Sequence, residues 1–149
     1  MDFKIPPPLK IEHEELHAEL VKATQAGGKI GEAAKAVAEV LHPHFLKEEE
    51  YALPPLGLLH RLAEGEATSE MAGVFRMTDR LKTLLPQLLK EHQAIVAALQ
   101  NLREPANHEK KSDYARFAEK LILHAQTEEE VLYPASILIG EYLKQKLGR

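Results

Sequence analysis

The sequence predicts an all-α, up-down four-helix bundle with a short helix at its C-terminal end. Three observations lead there. Apolar residues make up 44% of the 149 residues and aromatics only 5%, and strong helix formers outnumber strand-favouring residues. Apolar positions recur at steps of three and four along four long segments. Those segments are separated by Gly- and Pro-bearing stretches within a length usual for one core, so residues 1–149 are read as one domain.

After Pro6–Pro8, the positions Leu9, His13, Leu16, Leu20 and Ala23 form the first helical stripe, which Gly27-Gly28 stops. The second stripe is Val37, Leu41, His44, Glu48 and Tyr51, ended by the run from Leu53 to Gly57. A connection follows to about Ser69, with one short helix expected around Leu58 to Ala63. Ser69 is expected to cap the third helix, whose stripe is Leu81, Leu85, Leu88, His92, Ile95, Leu99 and Leu102. That helix should end before Glu104-Pro105-Ala106-Asn107. Ser112 is the expected cap of the fourth, which carries Phe117, Leu121, His124, Glu128 and Val131. Tyr133-Pro134 should end or kink it ahead of a tail helix near Glu141 to Leu147. Pro43 and Pro86 fall inside predicted helices, where proline removes a hydrogen bond and crowds the preceding turn, so each is expected to bend its helix. Four amphipathic helices in a chain of this length form an up-down bundle.

A net charge of -4 argues against affinity for phosphate backbones, which requires clustered Lys and Arg. No nucleic-acid partner is expected. The absence of cysteine removes disulfides, thiolate zinc sites and cysteine-bound iron–sulfur clusters, so any metal must sit on nitrogen and oxygen. Met1 to Pro8 lacks a charged stretch followed by an apolar run, and no segment nears the length that spans a bilayer. A soluble, cytoplasmic protein without membrane partners is expected.

The most informative pattern is an internal repeat. His44-Phe-Leu-Lys-Glu-Glu-Glu50, with Pro54 beyond, matches His124-Ala-Gln-Thr-Glu-Glu-Glu130, with Pro134 beyond, at an offset of 80 residues. Glu12-His13 matches Glu91-His92 at an offset of 79. The chain reads as a duplicated helix pair. A repeat alone can reflect packing, but His13, His44, His92, His124, Glu48 and Glu128 occupy stripe positions where Leu or Ile would be expected.

A His and a Glu four residues apart lie one above the other on one helix face, about 6 Å apart along the axis. Neighbouring helices stand roughly 8–10 Å away, so four imidazoles and two carboxylates converge in the bundle core. Each unpaired buried carboxylate costs several kcal/mol. Divalent cations compensate, with neutral imidazoles as ligands and carboxylates able to bridge two ions. A single His on an apolar stripe is more often a core residue bonded to a carbonyl. Six such residues in matched pairs favour metal.

At these residues the sequence resembles the hemerythrin-like, or HHE cation-binding, family. Its pattern is a His, then His-x-x-x-Glu, then a His, then a second His-x-x-x-Glu. The resemblance runs from about Leu9 to Pro134 and includes the Glu128-Glu-Glu-Val-Leu-Tyr-Pro134 ending. It implies two iron ions in a non-heme di-iron centre, oxo- or hydroxo-bridged, with His13, His44, His92 and His124 as terminal ligands and Glu48 and Glu128 as bridges.

The oxygen-carrying members of that family have five histidines, two of them one turn apart on the third helix. Here Val96 stands one turn after His92, whereas His17 stands one turn after His13. The pseudo-twofold repeat makes the first and third helices equivalent, so His17 is the candidate fifth histidine. His42 is read as a surface or boundary residue, and His60 and His108 as exposed. Tyr51 and Tyr133 are expected to fill the end of the core or to line the site. Glu49, Glu50, Glu129 and Glu130 read as a solvated face from which one can orient a ligand imidazole.

The resemblance implies a small ligand such as dioxygen, peroxide or nitric oxide. The first functional expectation is a protein that binds or senses dioxygen or a related oxidant. Alternatives are a di-iron enzyme or repair protein (peroxide breakdown, nitric-oxide handling, iron-centre repair) and a metal-storage or regulatory bundle.

Overall fold

Four helices in chain order build the frame of the computed structural model, which describes residues 1–149. Helix α1 spans Pro7–Thr24 and begins with proline in its first turn, where a missing N–H costs nothing. Helix α2 spans Gly28–Lys47. After short turns comes α3, Leu59–Ala63, then the long α4, Phe75–His108. Helix α5 spans Ser112–Thr127, and α6 spans Tyr133–Lys146. There are no strands. Helix α1 packs on α2 and α5, and α4 packs on the same two, so α1, α2, α4 and α5 close a four-helix ring. Helix α6 lies along α4.

Helices α2 and α5 each run into one wide π-helical turn, Glu48–Ala52 and Glu128–Leu132. Each turn starts on the repeated Glu and closes by a backbone bond from the residue five places on, Leu53 to Glu48 and Tyr133 to Glu128. A proline follows directly in both halves, Pro54 and Pro134. Because proline has no N–H to donate, the α-helical ladder is already interrupted there and a wider turn is tolerated.

The core lies in layers. On one side Leu16, Leu20, Val37, Leu41, Leu99 and Leu121 belong to a large apolar cluster drawn from all four bundle helices. On the other, Tyr51, Leu81, Leu88 and Tyr133 pack together, followed by Leu53, Leu56, Met71, Val74, Ile139 and Leu143. Each fully buried Leu, Ile or Met contributes about 1.5–3 kcal/mol. The repeated His and Glu residues sit in sequence between these layers on every bundle helix, and that places them between the layers in space.

Several local expectations are corrected. Helix α4 does not stop before Glu104 but continues through Pro105 to His108, held by buried Leu102 and Ala106 on either side of the proline. Pro43 and Pro86 lie inside α2 and α4, where the sequence placed them. Ser69 starts a tight turn, Ser69–Val74, rather than capping α4. Ser112 is the first residue of α5, where Lys111 holds the cap position without a side-chain bond.

The C-terminal helix begins at Tyr133 rather than near Glu141. Its packing explains the length: a Cβ on Gly140 would come within 2.2 Å of Thr78 Oγ1, so glycine lets α6 lie directly on α4. Gly57 acts similarly, since a Cβ there would meet the Lys4 carbonyl oxygen at 2.1 Å. The N-terminal segment therefore passes close over the connection.

Candidate metal centre

The repeat delivers His13 from α1, His44 from the last turn of α2, His92 from the middle of α4 and His124 from the last turn of α5. Glu48 and Glu128 open the two π-helical turns. All six side chains are buried, none more than 6% exposed. Donor atoms of His44, Glu48, His92 and Glu128 lie within 4.8 Å of one another, as do those of His13, His124 and Glu128. These are two groups able to hold a metal ion, and Glu128 belongs to both.

Each imidazole is anchored from its outer side. His44 Nδ1 lies 2.9 Å from Glu91 Oε1, His92 Nδ1 2.9 Å from Glu129 Oε1, and His13 Nδ1 3.4 Å from Glu49 Oε1. His124 Nδ1 is paired with Glu12. An ionised carboxylate only accepts, so each Nδ1 carries the hydrogen and each Nε2 is left with a lone pair directed inward. The pattern follows the repeat. Glu12 and Glu91, each just before a repeated His, hold His124 and His44 on another helix. Glu49 and Glu129, each just after a repeated Glu, hold His13 and His92.

The Nε2 atoms converge on the two carboxylates. His13 Nε2 is 3.5 Å from Glu128 Oε2 and 3.8 Å from Glu48 Oε1. His44 Nε2 is 3.5 Å from Glu48 Oε1, His92 Nε2 3.3 Å from Glu128 Oε1 and His124 Nε2 3.2 Å from Glu128 Oε2. Yet Glu48 Oε1 and Glu128 Oε2 have no hydrogen-bond partner although both are buried. Such orphaned acceptors are costly. Imidazole nitrogens and carboxylate oxygens this close together, two of the oxygens without a hydrogen-bond partner, fit a cation placed among them once the imidazoles are neutral. Neutral nitrogen and carboxylate oxygen suit iron, zinc or manganese.

The electrostatics of the cluster carry the same mark. Burial pushes the Glu48 carboxyl up, and the neighbouring Glu128 charge pushes it further, to about 7. Burial acts the same way on Glu128, but its close neighbours Glu48, His124, His13 and His92 outweigh it and hold that carboxyl well below its usual range. Burial opposes a charge on His44 and His124, but Glu48 and Glu91 raise the first to about 9, and Glu128 with Glu48 and Glu12 raises the second to about 9. His13 is raised for similar reasons against the same burial. Without a metal the cluster therefore holds protons, which ligation must displace.

Two residues that close the site come from outside the repeated pattern. Phe45 stacks on His13, with ring centroids 4.1 Å apart at 12°. Tyr133, fully buried, places its hydroxyl 2.6 Å from Glu48 Oε2 and donates to it.

The structure brings six of the seven sequence-predicted candidates together and leaves His17 outside. His17 is exposed, with its ring centroid 6.2 Å from that of His42, over a shallow cleft lined by Leu20, Leu41 and Phe45. Four residues turn a helix by about 400°, so a residue one turn on is rotated about 40° from His13, here to the outer side of the α1–α2 groove. His42, His60 and His108 are exposed as expected. Two of the four glutamates read as a solvated face, Glu49 and Glu129, reach inward to imidazoles, whereas Glu50 and Glu130 stay exposed. The part played by Glu12 and Glu91 was missed. The signal was the Glu that precedes His13 and His92 in both halves of the repeat.

No helix is long and apolar enough to cross a membrane. Comparison with curated proteins and with solved structures gives no match. The sequence pattern of the family described as Hemerythrin HHE cation binding domain matches residues 8–136, a span that contains all six clustered residues and both π-helical turns. The chain belongs to the hemerythrin HHE cation-binding family.

Proposed function

We propose that the protein is a non-heme di-iron protein that binds or senses dioxygen or a related small oxidant. His44 and His92 hold one iron ion, His13 and His124 the other, and Glu48 and Glu128 serve both. The observation that carries this reading is the shared orientation of the imidazoles: every Nδ1 is bound to a carboxylate and every Nε2 faces the two buried glutamates. Iron held there supplies redox-active positions at which dioxygen, peroxide or nitric oxide can be bound.

The protein's contribution is to position and to exclude water. Glu12, Glu49, Glu91 and Glu129 fix the tautomer and orientation of the imidazoles and raise their basicity. Phe45 and the apolar layers on both sides keep the cluster dry. A dry pocket with few proton donors favours reversible binding of a small oxidant over its reduction, which is why binding or sensing stands first. One feature favours the enzyme reading. The carboxylates of Glu12 and Glu49 are 43% and 45% exposed while they touch His124 and His13, so they link solvent to the cluster edge and offer a proton route.

The optical spectrum of anaerobically ferrous-loaded protein, followed as air is admitted and removed, tests the proposal. A visible band that forms with dioxygen and vanishes on degassing is the expected result. Irreversible conversion to a ferric spectrum would transfer the conclusion to the enzyme reading. No oxygen-dependent change would overturn the oxygen-reactive proposal.

A further inference from the structure

The two halves of the cluster are not equivalent, and Tyr133 makes the difference. At the repeat offset its counterpart is Leu53, which lies in an apolar cluster with Leu56 and Leu58. The π-helical turn Glu128–Leu132 closes on the Tyr133 N–H, so Tyr133 rather than Leu132 follows Glu128 by one turn and points to the same inward face. Its hydroxyl oxygen is 2.6 Å from Glu48 Oε2, 3.1 Å from His92 Nε2 and 3.3 Å from His44 Nε2.

These contacts do not add up as ordinary hydrogen bonds. The phenol has one hydrogen, and Glu48 accepts it. The Nδ1 hydrogens of His44 and His92 are given to Glu91 and Glu129, so once the imidazoles are in the neutral form that binds metal, both Nε2 atoms present lone pairs to that oxygen. Three lone-pair donors facing one another are held together by a cation among them. The spacings agree with that: ligand bonds of about 2.0–2.2 Å put neighbouring donors of one ion roughly 3 Å apart. Tyr51, by contrast, is buried with its hydroxyl unpartnered and its ring under Arg80, outside the cluster.

We propose that Tyr133 is a further protein ligand, its phenolate oxygen bound to the iron ion that His44 and His92 hold. This rests on the di-iron reading. Ligation breaks the phenol O–H bond, forms one iron–oxygen bond and releases one proton to solvent. The ion's charge favours the phenolate although the metal-free site disfavours it. In consequence the ion held by His13 and His124, which lacks a tyrosine neighbour, is the one that takes the small oxidant.

A ferric iron–phenolate bond gives a visible charge-transfer band, and resonance Raman spectra excited within it show tyrosine ring vibrations. The ferric wild-type protein is expected to show both, with iron content measured on the same sample. Tyr133→Phe should lose the band and the ring modes while it keeps its helical circular dichroism and most of its iron. Tyr51→Phe should keep both signals. Iron bound in the wild type without tyrosine modes would overturn the inference and leave Tyr133 as a hydrogen-bond donor to Glu48. Persistence of the modes in Tyr133→Phe would overturn it as well. Failure of the wild type to take up iron would overturn the di-iron reading and this inference with it.

Discussion

Glu91 and His44 are bound across the α2–α4 interface, the carboxylate accepting the Nδ1 hydrogen at 2.9 Å. The other oxygen of Glu91 accepts from Lys47 at 2.5 Å, and despite burial these partners hold its carboxyl well below the usual range. Glu91 is thus ionised and fixed before any metal arrives, and it sets which nitrogen of His44 is free. Removing such a partner typically lowers metal affinity by about 10–100-fold. Glu91→Gln is expected to weaken ferrous binding within that range while the helical content stays unchanged. Calorimetric titration under anaerobic conditions measures it, and unchanged affinity would show that the contact does not position the ligand.

Glu48 offers a contrast between stability and binding. In the folded, metal-free protein its carboxyl is raised from 4.5 to about 7, chiefly by burial and then by Glu128. Above that pH the ionised group destabilises the fold, on the order of 1–3 kcal/mol. Glu48→Gln should therefore stabilise the chelator-treated protein at pH above about 7 while it weakens iron uptake. Urea unfolding with and without chelator reads both effects. A variant less stable than the wild type under chelator would contradict this account.

The pH dependence of the metal-free fold follows with a definite sign. His44 and His124 are raised from 6.5 to about 9, so their contribution is full below about 6.5 and is lost as pH rises through about 9. The raised Glu48 carboxyl acts in the same direction between about 4.5 and about 7. The lowered carboxyls of Glu91 and Glu128 contribute above about 4.5 and lose that contribution as pH falls below it. Metal-free stability is therefore expected to peak near pH 5 to 6 and to decline toward about 9. A thermal melt series across that range checks it, and stability that rises steadily to pH 9 would contradict the assigned shifts.

His17→Ala and His13→Ala should behave differently. His17 is exposed beside His42, so its removal is expected to leave iron content and spectrum unchanged. His13 is buried with its Nε2 facing Glu128 at 3.5 Å, so its removal should lower the iron content. Iron analysis of the two variants distinguishes them, and equal loss in both would place His17 within the ligand set.

The bundle and the six clustered residues were legible because periodicity and repetition depend on the side chains themselves. His44 and Glu48, four residues apart, must share a helix face wherever that helix packs. What the sequence did not reveal depends on contacts between helices or on the backbone. Glu12 reaches His124 across 112 residues, which no local spacing encodes. The π-helical turns were hidden because the proline in Tyr133-Pro134 reads equally as a stop, a kink or the start of a new helix. Once one residue is added to the turn, Tyr133 swings inward to Glu48 and α6 starts at once. The position of His17, exposed beside His42, was not legible because the repeat relates α1 to α4 only in pattern. Residues one turn apart share a broad face but differ by about 40°, and only the packing of the neighbouring helices decides that Glu48 is buried and His17 exposed.

The proposed di-iron centre draws six residues from four helices. An anaerobic ferrous titration of the wild type and of a Glu48→Gln/Glu128→Gln double variant, with iron per chain measured after desalting, tests it most directly. Saturation at two ions per chain is expected in the wild type, one for each group of donors, with almost complete loss in the double variant. Equal uptake by both proteins, or none by the wild type, would contradict it.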